Sequence, residues 1–418
     1  MNSNLPTSNT RFAALRYRNF TLLWSGLIVS NVGTWMQNVA TGWLILQLTN
    51  SPLWLGLLGL SFALPMIILP LVGGAVVDRV DRIRLLYFTQ TGQMLTAFSL
   101  ALLTWLNLVQ PWHLLLASFI VAALLAFDNP ARQALIPDMV PQGDLLNALS
   151  LNSATYNGAA LVGPAIAGAM LGPFGAGALF FLNGISYLAV LFALVTMRDV
   201  RTHSGGQRQR LGASMLGGLA YAWRSRQVFA LLLLSALAGI FGRSYQNLLP
   251  VFARDIWNGG PQGYGLLLSA GGAGALVGAF GLASIRQLKR QGAVMVASGL
   301  LFSLAIIAFA LSPSLAGGIG LLFVAGVMST VYATIIATFI QIEAPNELRG
   351  RVMSLYAITL IGLPSLGALG SGVIAEMLGG VSGAPRAVLI GGAALALVLA
   401  VVGPFFWRRS LGPGNGRS

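Results

Sequence analysis

The stretch Pro141-Gln-Gly-Asp-Leu-Leu-Asn-Ala-Leu-Ser-Leu151 has a gap-free counterpart 204 residues further on, Pro345-Asn-Glu-Leu-Arg-Gly-Arg-Val-Met-Ser-Leu355. The register persists beyond it, because Gly163 and Gly168 fall on Gly367 and Gly372 at the same offset. Near the start of each half, Gly33…Gln37-Asn38 matches Gly242…Gln246-Asn247 at an offset of 209, and Gly56-Leu-Leu matches Gly265-Leu-Leu. Loop insertions produce such a drift of a few residues. The chain therefore reads as two copies of one unit in the same orientation, a parallel repeat.

The material of that unit is apolar. Of 418 residues, 56% are hydrophobic and 8% charged, with a mean hydropathy of +0.79. Soluble domains carry about 25% charged residues, and a water-facing surface cannot be built from so few ionic side chains. This excludes a soluble multidomain enzyme, a disordered chain, collagen and a disulfide scaffold. A helix crosses the ~30 Å hydrocarbon core in about 20 residues. Twelve runs of that kind are predicted near 19–48, 53–77, 85–106, 112–130, 145–171, 176–196, 228–252, 263–284, 293–311, 318–340, 351–377 and 387–407. The expectation is an all-α membrane protein of twelve transmembrane helices. Its parts are a six-helix bundle over 1–197, a cytoplasmic linker over 198–227 and a second six-helix bundle over 228–418. No cleavable signal is expected, since the first 18 residues are polar and basic and the first apolar run is too long.

Basic residues set the orientation. With the N-terminus inside, inner segments hold 21 of the 24 Lys and Arg, outer loops hold only Arg254 and Arg386, and Arg243 lies within a span. Both termini are thus expected in the cytoplasm. The net charge of +14 would suggest nucleic acid in a soluble protein, but here it is read as matched to anionic lipid headgroups. There is no cysteine, and only His113 and His203 are present. No metal site, cofactor or hydrolase constellation is expected from such a set, and no phosphate loop is present.

Two charged loops sit at matching places in the repeat. After the second run comes Gly74-Ala-Val-Val-Asp78-Arg79-Val-Asp81-Arg82-Ile-Arg84. A carboxylate at the C-terminal end of a helix is disfavoured by the helix dipole and needs a partner. A pair that forms in one conformer and breaks in another is a latch; a plain basic loop is the other reading. In the second half, Gly281-Leu-Ala-Ser-Ile-Arg286-Gln-Leu-Lys289-Arg290 keeps the glycine and the bases but not the acid. This pair of loops in a six-plus-six repeat resembles the major facilitator superfamily, whose motif between spans two and three runs Gly-x-x-x-Asp-Arg-x-Gly-Arg-Arg/Lys. Gly74, Asp78, Arg79 and Arg82 match; Asp81 replaces the second glycine. The resemblance covers residues 11–408. It narrows with Phe127-Asp-Asn-Pro-Ala-Arg-Gln-Ala-Leu-Ile-Pro-Asp-Met-Val-Pro141, Leu149-Ser-Leu-Asn-Ser-Ala and Arg349-Gly-Arg351-Val-Met-Ser, which look like the bacterial branch of enterobactin exporters and macrolide efflux proteins. It implies export across the cytoplasmic membrane by alternating access, with the proton as coupling ion and a small amphipathic molecule as substrate. The implied protein works as a monomer among lipids. Gly74, Asp78, Arg79, Arg82, Arg286, Lys289 and Arg290 would serve conformational gating. Gly163-Pro164…Gly168 resembles the fifth-span motif of antiporters; physically it is a proline kink with small residues that let helices approach.

The polar residues inside the spans are the site candidates. Asn31, Gln37 and Asn38 in the first run, with Gln246 and Asn247 in the seventh, could line a cavity or could bond between helices. Arg243 is costly in a membrane unless it meets water or a partner. It is read either as a substrate-binding group or as a structural pair, for example with Glu376. Asp128 is expected near the cytoplasmic end of its helix, paired with Arg132. The first run contains no acidic residue, so candidate proton carriers are Asp78, Asp128, Asp255, Glu343 and Glu376. An importer on the same fold, and a membrane sensor that moves nothing, remain open alternatives.

Overall fold

The computed structural model describes residues 12–69, 80–197, 219–285 and 290–407. Among them there is no strand. The helices are α1 (Arg18–Thr49), α2 (Pro52–Ile68), α3 (Arg82–Trp105), α4 (Pro111–Met139), α5 (Leu145–Thr196), α6 (Arg226–Leu237), α7 (Tyr245–Val251), α8 (Gly260–Ser284), α9 (Gln291–Leu311), α10 (Leu315–Glu343), α11 (Arg349–Ile361), α12 (Leu363–Met377) and α13 (Ala384–Trp407). Eight segments of the described residues are long and apolar enough to cross a membrane, and one of them, the 55-residue Gln142–Thr196, can cross twice. With α1, α2 and α3 the number of crossings is about twelve.

Local chemistry explains where these helices start and stop. Asp81 caps α3 by accepting from Arg84 N at 2.9 Å, which accounts for an acid where the loop motif has glycine. Ser225 caps α6 and Ser314 caps α10 in the same way. Pro111 opens α4, and its Gln110 N donates to His113 Nδ1 at 2.8 Å. Long α5 is broken at Gly175, whose φ of 72° and ψ of 172° suit only glycine. The two runs expected over 145–171 and 176–196 are thus two spans joined at one glycine. Asn50 and Asn258 both take positive φ, 49° and 51°, in the short turns after the first and seventh spans. The repeat therefore extends to a backbone conformation that asparagine tolerates better than most residues.

The chain separates into two compact units, one of residues 1–44 and 64–208, the other of 45–63 and 209–418. Residues 45–63 thus pack with the second unit, whereas the sequence places them in the first bundle. Inside each unit the packing repeats as well. A side chain at Gly33 would meet Asn183 and Ser186, and one at Gly242 would meet Leu395, which is Ser186 shifted by the same 209 residues. A side chain at Gly163 would strike Trp35 and Val32 O of α1; one at its counterpart Gly367 would strike the Ile240 backbone of span seven. In the second unit, α8 and α10 touch backbone to backbone: Gly274 faces Phe323 O and Gly326 faces Gly271 O. Hydrocarbon gives helices no hydrophobic reason to associate, so such close approach supplies the attraction.

The candidate substrate site

Span seven is irregular where it carries its charge. A π-helical turn at Ala238–Gly242 follows α6, and a second at Phe252–Ile256 follows α7. Such turns leave backbone groups out of the regular ladder and frequently mark functional positions. Arg243 closes the first one. Gly239 lets this turn approach Thr359 O, and Gly242 lets it approach Phe302 and Leu395.

The Arg243 side chain is half-buried and lines a cavity of about 20 Å³ with Ser235, Phe302, Ser329, Tyr332 and Leu360 among its walls. That is room for about one water. The walls are held in place by hydroxyls: Ser235 Oγ and Thr359 Oγ1 lie 2.6 Å apart, and Tyr332 donates to Leu234 O at 3.3 Å. Tyr245 and Tyr356 lie within electrostatic range of the guanidinium. Among the described residues no carboxylate pairs with Arg243. Glu376 instead accepts from Ser51 Oγ at 2.7 Å, so the pairing weighed for Arg243 is not formed. Gln246 is exposed and Asn247 half-buried, with the Asn247 amide against Gly59, where a side chain would collide at 2.9 Å. Gln246 N donates to Arg243 O at 3.2 Å, which keeps the two on one turn.

In the first unit, Gln37 is buried and accepts from Asn183 Nδ2 at 2.7 Å, the bond between helices that was the second of its two readings. Asn38, one residue on, is exposed, and Asn31 is half-buried. Around Gln37 lies a polar core that no motif announces. Tyr187 donates to Gln93 Oε1 at 3.2 Å, Asn183 reaches Tyr187 Oη at 3.5 Å, and Gln93 Nε2 donates to Thr89 O at 3.4 Å. Asp128 belongs to this core. It is wholly buried and eleven residues inside the end of α4, not near the end as expected. The only hint in the sequence was an acid in an apolar run beside Asn129-Pro130.

Of the gating candidates, Gly74, Asp78, Arg79, Arg286 and Lys289 lie outside the described residues. Arg82 reaches across to α4. Its Nη1 lies 2.6 Å from Asp138 Oδ2 and donates to Ala134 O at 3.0 Å, fastening the start of α3 to the last turn of α4. The carboxylate at that helix end thus has the cation the dipole calls for. Arg290 holds a left-handed backbone, φ 57°, just before α9. Gly163, Pro164 and Gly168 are all buried. Ahead of α1, Tyr17 donates to Asp144 Oδ2 at 2.8 Å; that hydrogen bond keeps the phenol neutral and raises its pKa.

The family model described as "Transmembrane secretion effector" matches residues 9–409. The staphyloferrin A transporter of Staphylococcus aureus is 24% identical over 83% of this chain and 87% of its own length. Macrolide efflux protein A of Streptococcus pyogenes is 24% identical over 87% of this chain and 92% of its own. The solved structure of the nucleoside transporter NupG superposes with a TM-score of 0.77 at 15% identity, covering 95% of this chain and all of that one. At that identity the likeness is one of fold.

Proposed function

We propose that this chain, which belongs to the transmembrane secretion effector family of the major facilitator superfamily, exports amphipathic small molecules across the bacterial cytoplasmic membrane, coupled to protons. The macrolide exporter and the staphyloferrin transporter among its relatives support a drug, macrolide or siderophore as substrate. The observation that carries the reading is Arg243. A guanidinium in a spanning segment that no carboxylate among the described residues pairs is stabilised by what the cavity brings to it, water or a ligand. The 20 Å³ beside it admits one oxygen of a carboxylate or catecholate, or a hydroxyl, but not a whole drug. The reading is therefore that a polar tip of the substrate reaches Arg243 while its apolar body lies elsewhere. The arrangement proposed has both termini in the cytoplasm.

Direction is tested with inverted membrane vesicles carrying the protein. Given an inward-acid pH gradient, they should accumulate radiolabelled erythromycin or a ferric catecholate siderophore above vesicles without it. Uptake in intact cells and none in inverted vesicles would make the protein an importer. Absence of flux in both, with the protein inserted, would leave the sensor reading.

A further inference from the structure

Asp128 is the one charged residue among the described residues that is fully buried. Its Oδ1 accepts from Thr89 Oγ1 at 2.7 Å and from Gln90 Nε2 at 2.8 Å, both on α3. Its Oδ2 lies 2.6 Å from Arg132 Nε, yet no donor there is aligned for a hydrogen bond. Gln90 Oε1 is likewise buried without a donor. The Thr89 hydroxyl has one proton and two acceptors in reach, Asp128 Oδ1 and Leu86 O at 3.1 Å. The ionised carboxylate is thus held by one cation through Oδ2 and by two α3 donors through Oδ1, while Gln90 Oε1 has no donor among the described residues. One added proton on Oδ2 would replace that ion pair by a neutral acid and give the cluster a further donor.

The groups around Asp128 leave that proton few competitors. From its own helix comes Arg132, from α3 come Thr89, Gln90 and Gln93, and from α5 come Asn183 and Tyr187. Arg132 alone is charged, and Tyr187 is the one further titratable group. Further along these two helices Arg84 is exposed, and Arg82 and Asp138 pair with each other.

The pair also sits at a mechanical weak point. Asp128 and Arg132 are four residues apart and straddle Pro130, which lies inside α4. Proline has no N–H, so the helix loses the backbone bond back to residue 126 at this turn. The ion pair, with Arg132 Nη2 donating to Asn129 Oδ1 at 2.8 Å, bridges the turn that the backbone leaves open.

We infer that Asp128 is the proton-binding residue of this transporter, and that its ion pair with Arg132 clamps α4 across Pro130 until a proton releases it. The proton enters from solvent and binds Oδ2. The carboxylate becomes a neutral acid, and Arg132, whose side chain is 15% exposed, keeps its charge and is freed toward the surface. Loss of the proton on the opposite side restores the clamp. The second unit offers no equivalent, since its buried polar residues are all hydroxyls among the described ones. The inference rests on reading the chain as a secondary transporter, but its first test needs no substrate.

That test is infrared difference spectroscopy of the full-length protein in liposomes, stepped from alkaline to acid. A protonated carboxyl band shielded from water should appear in the wild type. It should vanish in Asp128→Asn, persist in Asp138→Asn, and return, shifted, in Asp128→Glu. A band surviving in folded Asp128→Asn, or no such band in the wild type, overturns the inference. The second test uses ethidium in inverted vesicles: Asp128→Asn should equilibrate the dye down its gradient and lose accumulation driven by an imposed pH gradient. Gradient-driven accumulation by Asp128→Asn overturns the inference. If the wild type moves no ethidium, export of that dye fails, and the infrared result still decides Asp128.

Discussion

Holding Arg243 inside a membrane span costs several kcal/mol unless something polar meets it, and no carboxylate among the described residues does. A substrate oxygen bonded to the guanidinium would contribute about 1.5–3 kcal/mol. Arg243→Ala should therefore weaken binding about ten- to hundred-fold, and Arg243→Lys, which keeps the charge and loses the planar fork, should fall between. Ligand-induced melting shifts with a macrolide and a catecholate siderophore read this directly. Wild-type shifts in the alanine variant would remove Arg243 from the site. Tyr17 supports a different expectation. Its proton, shared with Asp144, ties the segment before α1 to the start of α5. Because the pKa is raised, the tie is complete below the ordinary tyrosine value of about 10 and is lost only as pH climbs through the higher one. Tyr17→Phe should speed tryptic release of the N-terminal peptide at Arg16 and Arg18 several-fold at neutral pH, as seen by mass spectrometry. Unchanged cleavage would mean that packing alone holds the segment.

Between helices, the closest approaches are made by glycines, and they set what each helix can tolerate. Gly326 on α10 meets the backbone of Gly271 on α8, so there is no side chain to move aside. Gly326→Leu should lower the melting temperature by an amount matching about 1–3 kcal/mol or more, whereas Gly320→Leu on the same helix has open space and should be neutral. Equal melting of the two variants in detergent would show that α8 and α10 can part without cost. The same logic explains why the glycines of the repeat were legible: Gly163 and Gly367 recur because each faces a backbone or an aromatic ring of the first span of its half. The polar core at α3, α4 and α5 was not legible, because Thr89, Gln90 and Asp128 meet across almost forty residues of chain and each, taken alone, is an ordinary polar residue in an apolar run.

For the molecule as a whole, the basic residues make a topological prediction that the absence of native cysteine renders clean. A cysteine at Ser382, exposed between α12 and α13, should react with a membrane-impermeant thiol reagent on intact cells, and one at Ser204 should not. The reverse pattern would invert the protein in the membrane. The sequence by itself determined the helical membrane class, most of the described span edges to within a few residues, though not the end of α4, and the internal repeat. It could do so because a bilayer demands apolar runs of about 20 residues and satisfied backbones, which are signals along one dimension. It did not determine which polar side chain faces inward. Gln37 and Asn38 are neighbours of like chemistry, but about 100° of helical turn separates them, and only the position of α5 puts Asn183 beside the first and leaves the second exposed. Tertiary packing likewise gave Glu376 to Ser51 instead of Arg243, and sealed Asp128 under α3. Burial and pairing depend on residues distant in the chain, so only the folded structure could decide them.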